Sequence, residues 1–180
     1  MEIEEIDYDV SQNEHLICLS LCNQIQDEVN GMKLRFNYRK ENTPAFQAML
    51  AMDKYASSSM EDKVLHELIK IRASQINGCS YCIDKHTSDL LKMGDHDRRI
   101  RLMSVWRETS LFTDKEKAAL ELTEYVTTVA NAGVPDLVYE RVREHFSEKE
   151  YVDLVMAIAT INSWNRIAIS MGMHPDCFDQ

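Results

Sequence analysis

Apolar residues recur along most of this chain at the three- and four-residue spacing of a helix face, and residues that end or open helices stand between the runs. Glu14 to Asn30 carries Leu16, Ile17, Leu21, Ile25 and Val29 as a helix that Gly31 ends. Thr43 is the expected cap, and Pro44 the first residue, of a helix running to Ser57 with Phe46, Met49, Leu50, Met52 and Tyr55 on its apolar face. Ser59 is the expected cap of the next helix, where Val64, Leu65, Leu68, Ile69 and Ile76 recur at near-helical spacing and Asn77-Gly78 breaks the pattern. A new amphipathic run opens at Cys79 and continues through Leu90, Leu91 and Met93 to Gly94.

Asp95 is the expected cap of a helix from His96 to Trp106. Thr113 with Glu116, and Ser147 with Glu150, have the spacing of capping boxes. The first opens a long helix to Ala130, and the second a final one from about Lys149 to Met171, with a shorter helix, Asp136 to His145, between them. The final helix is apolar on nearly every side over its first half, which predicts the packing centre of the domain or a subunit interface. Asn162, Trp164, Asn165 and Arg166 interrupt it; as buried polar groups they need partners, at the site or at neighbouring helix ends, and structural or interface duty is expected of them ahead of catalysis. The fold class expected is all-α, with residues 1–31 as an extension and 32–180 as the main domain.

Composition narrows the function. Twenty basic against thirty acidic residues give a net charge of −10, which repels phosphate backbones and sets nucleic-acid binding aside as the main role. No apolar stretch reaches the length of a membrane span, and the acidic start MEIEEIDYDV is unlike a signal peptide. Five cysteines, an odd number, do not make a secreted disulfide framework, so the expected location is the reducing cytoplasm.

The candidate chemistry lies in LHELIKIRASQINGCSYCIDKH, residues 65–86. Cys79 and Cys82 form a C-x-x-C pair at the mouth of a helix, where first-turn amides and the helix dipole favour a thiolate. His86 follows Cys82 at i+4, within reach of its proton, and Glu67 on the preceding helix is placed to orient the imidazole or relay that proton. Together these residues make a candidate thiol redox centre with nucleophile, resolving partner and base. Two alternatives stand beside it: a zinc site using Cys79, Cys82, His86 and Glu67, and a non-enzymatic interaction module built on the apolar last helix. Cys18 and Cys22 share a face of the first helix and are expected to be packing residues. His15, His66, His96, His145 and His174 lack partnered spacing, and a surface location is expected for each.

The runs ELIKIRASQINGCSYCIDKHTSDLLKMG, WRETSLFTDKEKAALELTE and AIATINSWNRIAI also resemble the AhpD-like alkylhydroperoxidases of the carboxymuconolactone decarboxylase superfamily, in order, over about Pro44 to Pro175. The resemblance implies an all-helical bundle assembled as a trimer or hexamer. It also implies reduction of hydroperoxides without metal, haem or other cofactor, and re-reduction by a lipoyl-type or thioredoxin-like dithiol. By the same resemblance Cys82 is the peroxide-attacking thiol, Cys79 the resolving thiol, and His86 with Glu67 the proton relay. Tyr81 stands where characterised members can carry a His. Members that decarboxylate carboxymuconolactone lack the cysteine pair, so its presence points away from that reaction. A general disulfide oxidoreductase using the same pair is the remaining enzymatic alternative.

Overall fold

The computed structural model describes residues 33–175, 177 and 178. The expected first helix, with Cys18 and Cys22, and His15 lie outside the described residues. Nine α-helices and one 3₁₀ segment make up the described chain, which has no strand. In order they are α1 (Tyr38–Glu41), α2 (Thr43–Ser59), α3 (Lys63–Asn77), α4 (Ser80–Leu91), α5 (Asp97–Arg101), the 3₁₀ segment Met103–Glu108, α6 (Asp114–Thr127), α7 (Val129–Ala132), α8 (Asp136–Arg143) and α9 (Glu148–Met171).

Both capping boxes form, Thr113 with Glu116 and Ser147 with Glu150. The other expected caps differ, and hydrogen bonding explains how. Thr43 donates its hydroxyl to the Arg39 carbonyl, so Asn42 caps α2 by accepting from the Ala45 amide at 3.1 Å. Ser59 donates back to the Ala56 carbonyl within α2, and Asp62 caps α3 through the Leu65 amide at 2.9 Å. His96, without a side-chain cap bond, occupies the position expected of Asp95.

Two expected helices are broken. His96 to Trp106 becomes α5 and the 3₁₀ segment, whose three-residue turn stacks Met103 and Trp106 on one buried side. Trp106 Nε1 donates to Glu124 at 2.9 Å, which fixes that side toward α6. The helix expected to reach Ala130 is interrupted at Thr128, whose hydroxyl donates to the Glu124 carbonyl at 2.8 Å and whose backbone leaves helical angles.

The packing centre is α3 rather than the last helix. It runs between α4, α6 and α9 and buries Leu65, Leu68, Ile69, Ile71 and Ala73 almost completely. The last helix is buried through its middle, but Val152 and Ile169 near its two ends are about half exposed. His66 is not at the surface as expected: it faces inward from α3 with 2% exposure, and burial followed by the Lys70 charge pushes its imidazole down to about 3. His145 is exposed, whereas His96 and His174 are half-buried.

Candidate active site

The site is made by the break between α3 and α4. Gly78 ends α3 with φ 69°, a left-handed angle, and a Cβ there would meet nothing within 4 Å, so the backbone angle alone selects glycine. The turn brings the Cys79 amide back to the Ser74 carbonyl at 3.0 Å and sets Cys79 at the N-cap of α4, with Cys82 in its first turn. Both thiols are free and buried, Cys79 at 1% and Cys82 at 4% exposure.

Glu67 and His86 meet from the two helices. Glu67 Oε2 lies 2.7 Å from His86 Nδ1, and its Oε1 accepts from Lys70 Nζ at 3.0 Å. Burial raises the Glu67 carboxyl, but the bonds from His86 and Lys70 outweigh it and lower the group to about 2. Lys70 secures that negative charge whichever form the imidazole takes. Burial pushes His86 down, against the pull of Glu67, so the ring is neutral near pH 7. With Nδ1–H donated to the carboxylate, the lone pair sits on Nε2.

The two sulfurs stand beside one another and beside Asn165, a fully buried side chain of α9. A thiolate on Cys79 is favoured first by the Cys82 thiol, then by the Cys82 backbone amide and Asn165; burial opposes them, and the balance lowers its ionisation to about 7. Cys82 is pushed up in consequence by its bond to Cys79, by burial and by the Cys79 charge. Of the pair, Cys82 faces the neighbouring cavity of about 270 Å³, lined also by Tyr38, Phe46, Tyr81, His86 and Trp164.

The structure pairs Glu67 with His86 and puts His86 and Cys82 in one cavity wall, but it does not converge the two sulfurs with His86 and Glu67 at the spacing of a zinc site. Among the described residues the group spaced to hold a cation is Glu67, His86 and Asp89, which excludes both sulfurs. Its carboxylates are already engaged, Glu67 by Lys70 and Asp89 by Lys85 and Lys92. Asn165 has the structural role expected of it, tying α9 to α3 by donating to Ser74 Oγ at 3.0 Å while accepting from Asn77 at 2.8 Å, and it also stands beside the sulfurs. Trp164 walls the cavity, and Asn162 donates to Thr127 Oγ1 at 3.0 Å in the structural role expected of it. Lys70, one helical turn after Glu67, is a site residue that the sequence pattern does not mark.

Residues 43–125 match the model of the carboxymuconolactone decarboxylase family. The Bacillus subtilis (strain 168) uncharacterized protein YdfG is 48% identical over 141 residues, covering 78% of this chain and 96% of YdfG. A crystal structure of an Agrobacterium tumefaciens protein of unknown function, ascribed to antioxidant defence as AhpD, is 43% identical with a TM-score of 0.76 and covers 79% of this chain and 99% of that one. The chain belongs to the carboxymuconolactone decarboxylase family, and its fold is AhpD-like. The debrominase Bmp8, 16% identical with a TM-score of 0.67 over 75% of this chain and 73% of its own, shares the fold alone. Fold therefore does not choose the reaction, and the choice rests on the side chains. No described helix is long and apolar enough to cross a membrane.

Proposed function

We propose that the chain is a thiol-dependent peroxidase that reduces alkyl hydroperoxides or hydrogen peroxide through a Cys79–Cys82 dithiol/disulfide cycle. The observation that carries this reading is a neutral, carboxylate-held imidazole, His86, lining the same cavity as one sulfur of an adjacent pair. Cys82 is the attacking sulfur, as the member of the pair that meets the cavity. The negative charge rests more easily on Cys79, but transfer of the shared proton places it on Cys82 when a peroxide arrives.

In the first step the Cys82 thiolate bonds to the terminal peroxide oxygen and the O–O bond breaks. His86 Nε2, having taken up the proton released when the thiol pair ionised, returns it to the departing alkoxide, which leaves as alcohol, and Cys82 is oxidised to a sulfenic acid. In the second step Cys79 attacks the Cys82 sulfur, hydroxide leaves as water after protonation, and a disulfide forms. Two thiols and one peroxide thus yield one alcohol, one water and one disulfide. An external dithiol, lipoyl-type or thioredoxin-like, closes the cycle by exchange. A homo-trimer or hexamer in the cytoplasm, where such dithiols are kept reduced, is the setting in which we place it.

The test is a count of thiols on the reduced full chain, before and after one equivalent of peroxide, with zinc measured on the same sample. A fall from five thiols to three without metal supports the cycle. An unchanged count, or stoichiometric zinc, overturns it.

A further inference from the structure

The cavity over Cys82 has a layout of charge that the peroxidase cycle leaves unused. Three cations line it, Arg39, Lys70 and Lys85. Lys70 is matched by Glu67 at 3.0 Å and Lys85 by Asp89 at 2.6 Å. Arg39 forms no ion pair among the described residues, and its Nε is buried with no hydrogen-bond partner among them. Its guanidinium carbon lies 3.9 Å from the ring centre of Phe178 and 5.5 Å from that of Phe46. Rings so placed strip water from a cation without neutralising it, which strengthens its hold on an incoming anion.

The adjacent Tyr38 hydroxyl is likewise buried and unpartnered among the described residues, on a side chain that lines the cavity with 8% exposure. Donors left in this state cost free energy until something accepts from them. Asp53 is the carboxylate in the same wall, and its Oδ1 accepts from Trp164 Nε1 at 3.3 Å. Successive contacts run from Arg39 to Phe46 to Trp164 to Asp53, so two aromatic side chains intervene between the cation and that acid.

We infer that the cavity receives a small amphiphile, an apolar or aromatic body bearing one carboxylate, with the anion held by Arg39 and Tyr38 and the body against Phe46 and Trp164. The net charge of −10 makes the protein as a whole repel anions, so the selectivity comes from this local group. That the ligand's reactive end is a hydroperoxide beside Cys82 rests on the peroxidase reading, whereas the preference for the anion does not.

The test is calorimetric titration of the reduced full chain with para-isopropylbenzoate and with the neutral para-isopropylbenzyl alcohol. Neither carries a peroxide, so this result and the thiol count can fail separately. The carboxylate is expected to bind about tenfold tighter, as a charge-assisted bidentate contact with arginine allows. Arg39→Met should bring the ratio of the two affinities close to one, and Arg39→Lys should restore part of it. Equal affinities in the parent protein, binding of neither compound, or a preference that survives Arg39→Met overturns the inference.

Discussion

Glu67 Oε2 stands 2.7 Å from His86 Nδ1 across the junction of two helices that a single left-handed glycine separates. Glu67→Gln keeps the shape but no longer imposes one tautomer, because an amide can donate as well as accept. It also leaves the Lys70 ammonium in a buried site without its carboxylate. Peroxide turnover should fall about 100-fold, and urea denaturation should show a loss of about 3 kcal/mol. Unchanged turnover would remove the pair from the mechanism.

Cys82→Ser should abolish peroxide consumption. Cys79→Ser should consume about one equivalent of peroxide and then stop, with Cys82 held as a sulfenic acid that mass spectrometry detects as one added oxygen. The reverse pattern would exchange the roles of the two sulfurs.

Asn165 is a positioning residue for the thiols, and its influence is read in a pH profile. Because the thiolate reacts, the rate with peroxide should climb as pH rises through about 7, the value to which the pair's first ionisation is lowered. Asn165→Ala should move that midpoint up by about one unit, with about tenfold slower reaction below it. A variant that lost stability but kept its midpoint would restrict Asn165 to packing.

His66 governs a different pH window. Its ordinary value of 6.5 falls to about 3 in the folded chain, so the unfolded chain binds the proton first and stability is lost as pH drops below 6.5. His86, also lowered by burial, adds to this slope, whereas Glu67 contributes only below about 4.5, its ordinary value. Denaturation midpoints should fall steadily between pH 6.5 and 4.5, by about 2 to 3 kcal/mol for His66 alone. His66→Phe should flatten this dependence and leave the His86 share.

Local rules carried the sequence reading where one signal dominated. The C-x-x-C pair, the glycine before it and His86 four residues on needed only short-range geometry, and both capping boxes formed as written. Thr43 and Ser59 do not cap, because a hydroxyl can bond back to its own preceding turn as readily as forward to a cap. His66 and the central place of α3 depended on which helices surround that element, information that a periodic pattern does not hold. Asn165 was visible as a polar interruption of an apolar helix, but its partners, Ser74 and the sulfurs, lie about ninety positions earlier. Tyr38 and Arg39 gave no signal because their meaning comes from the rings and the cavity around them.

At the start of α4 a sulfur stands where Ser, Thr, Asn or Asp ordinarily accepts a backbone amide, and as a thiol its side chain makes no cap bond. The first turn therefore forgoes roughly 1 kcal/mol of anchorage that an oxygen would supply. Ionising that sulfur returns part of the loss, since a negative charge suits the positive end of the helix, and joining it to its neighbour takes the charge away again. The firmness of this turn thus changes with the oxidation state of the protein. Amide exchange at residues 80–83 should report whether the chain is spent or ready.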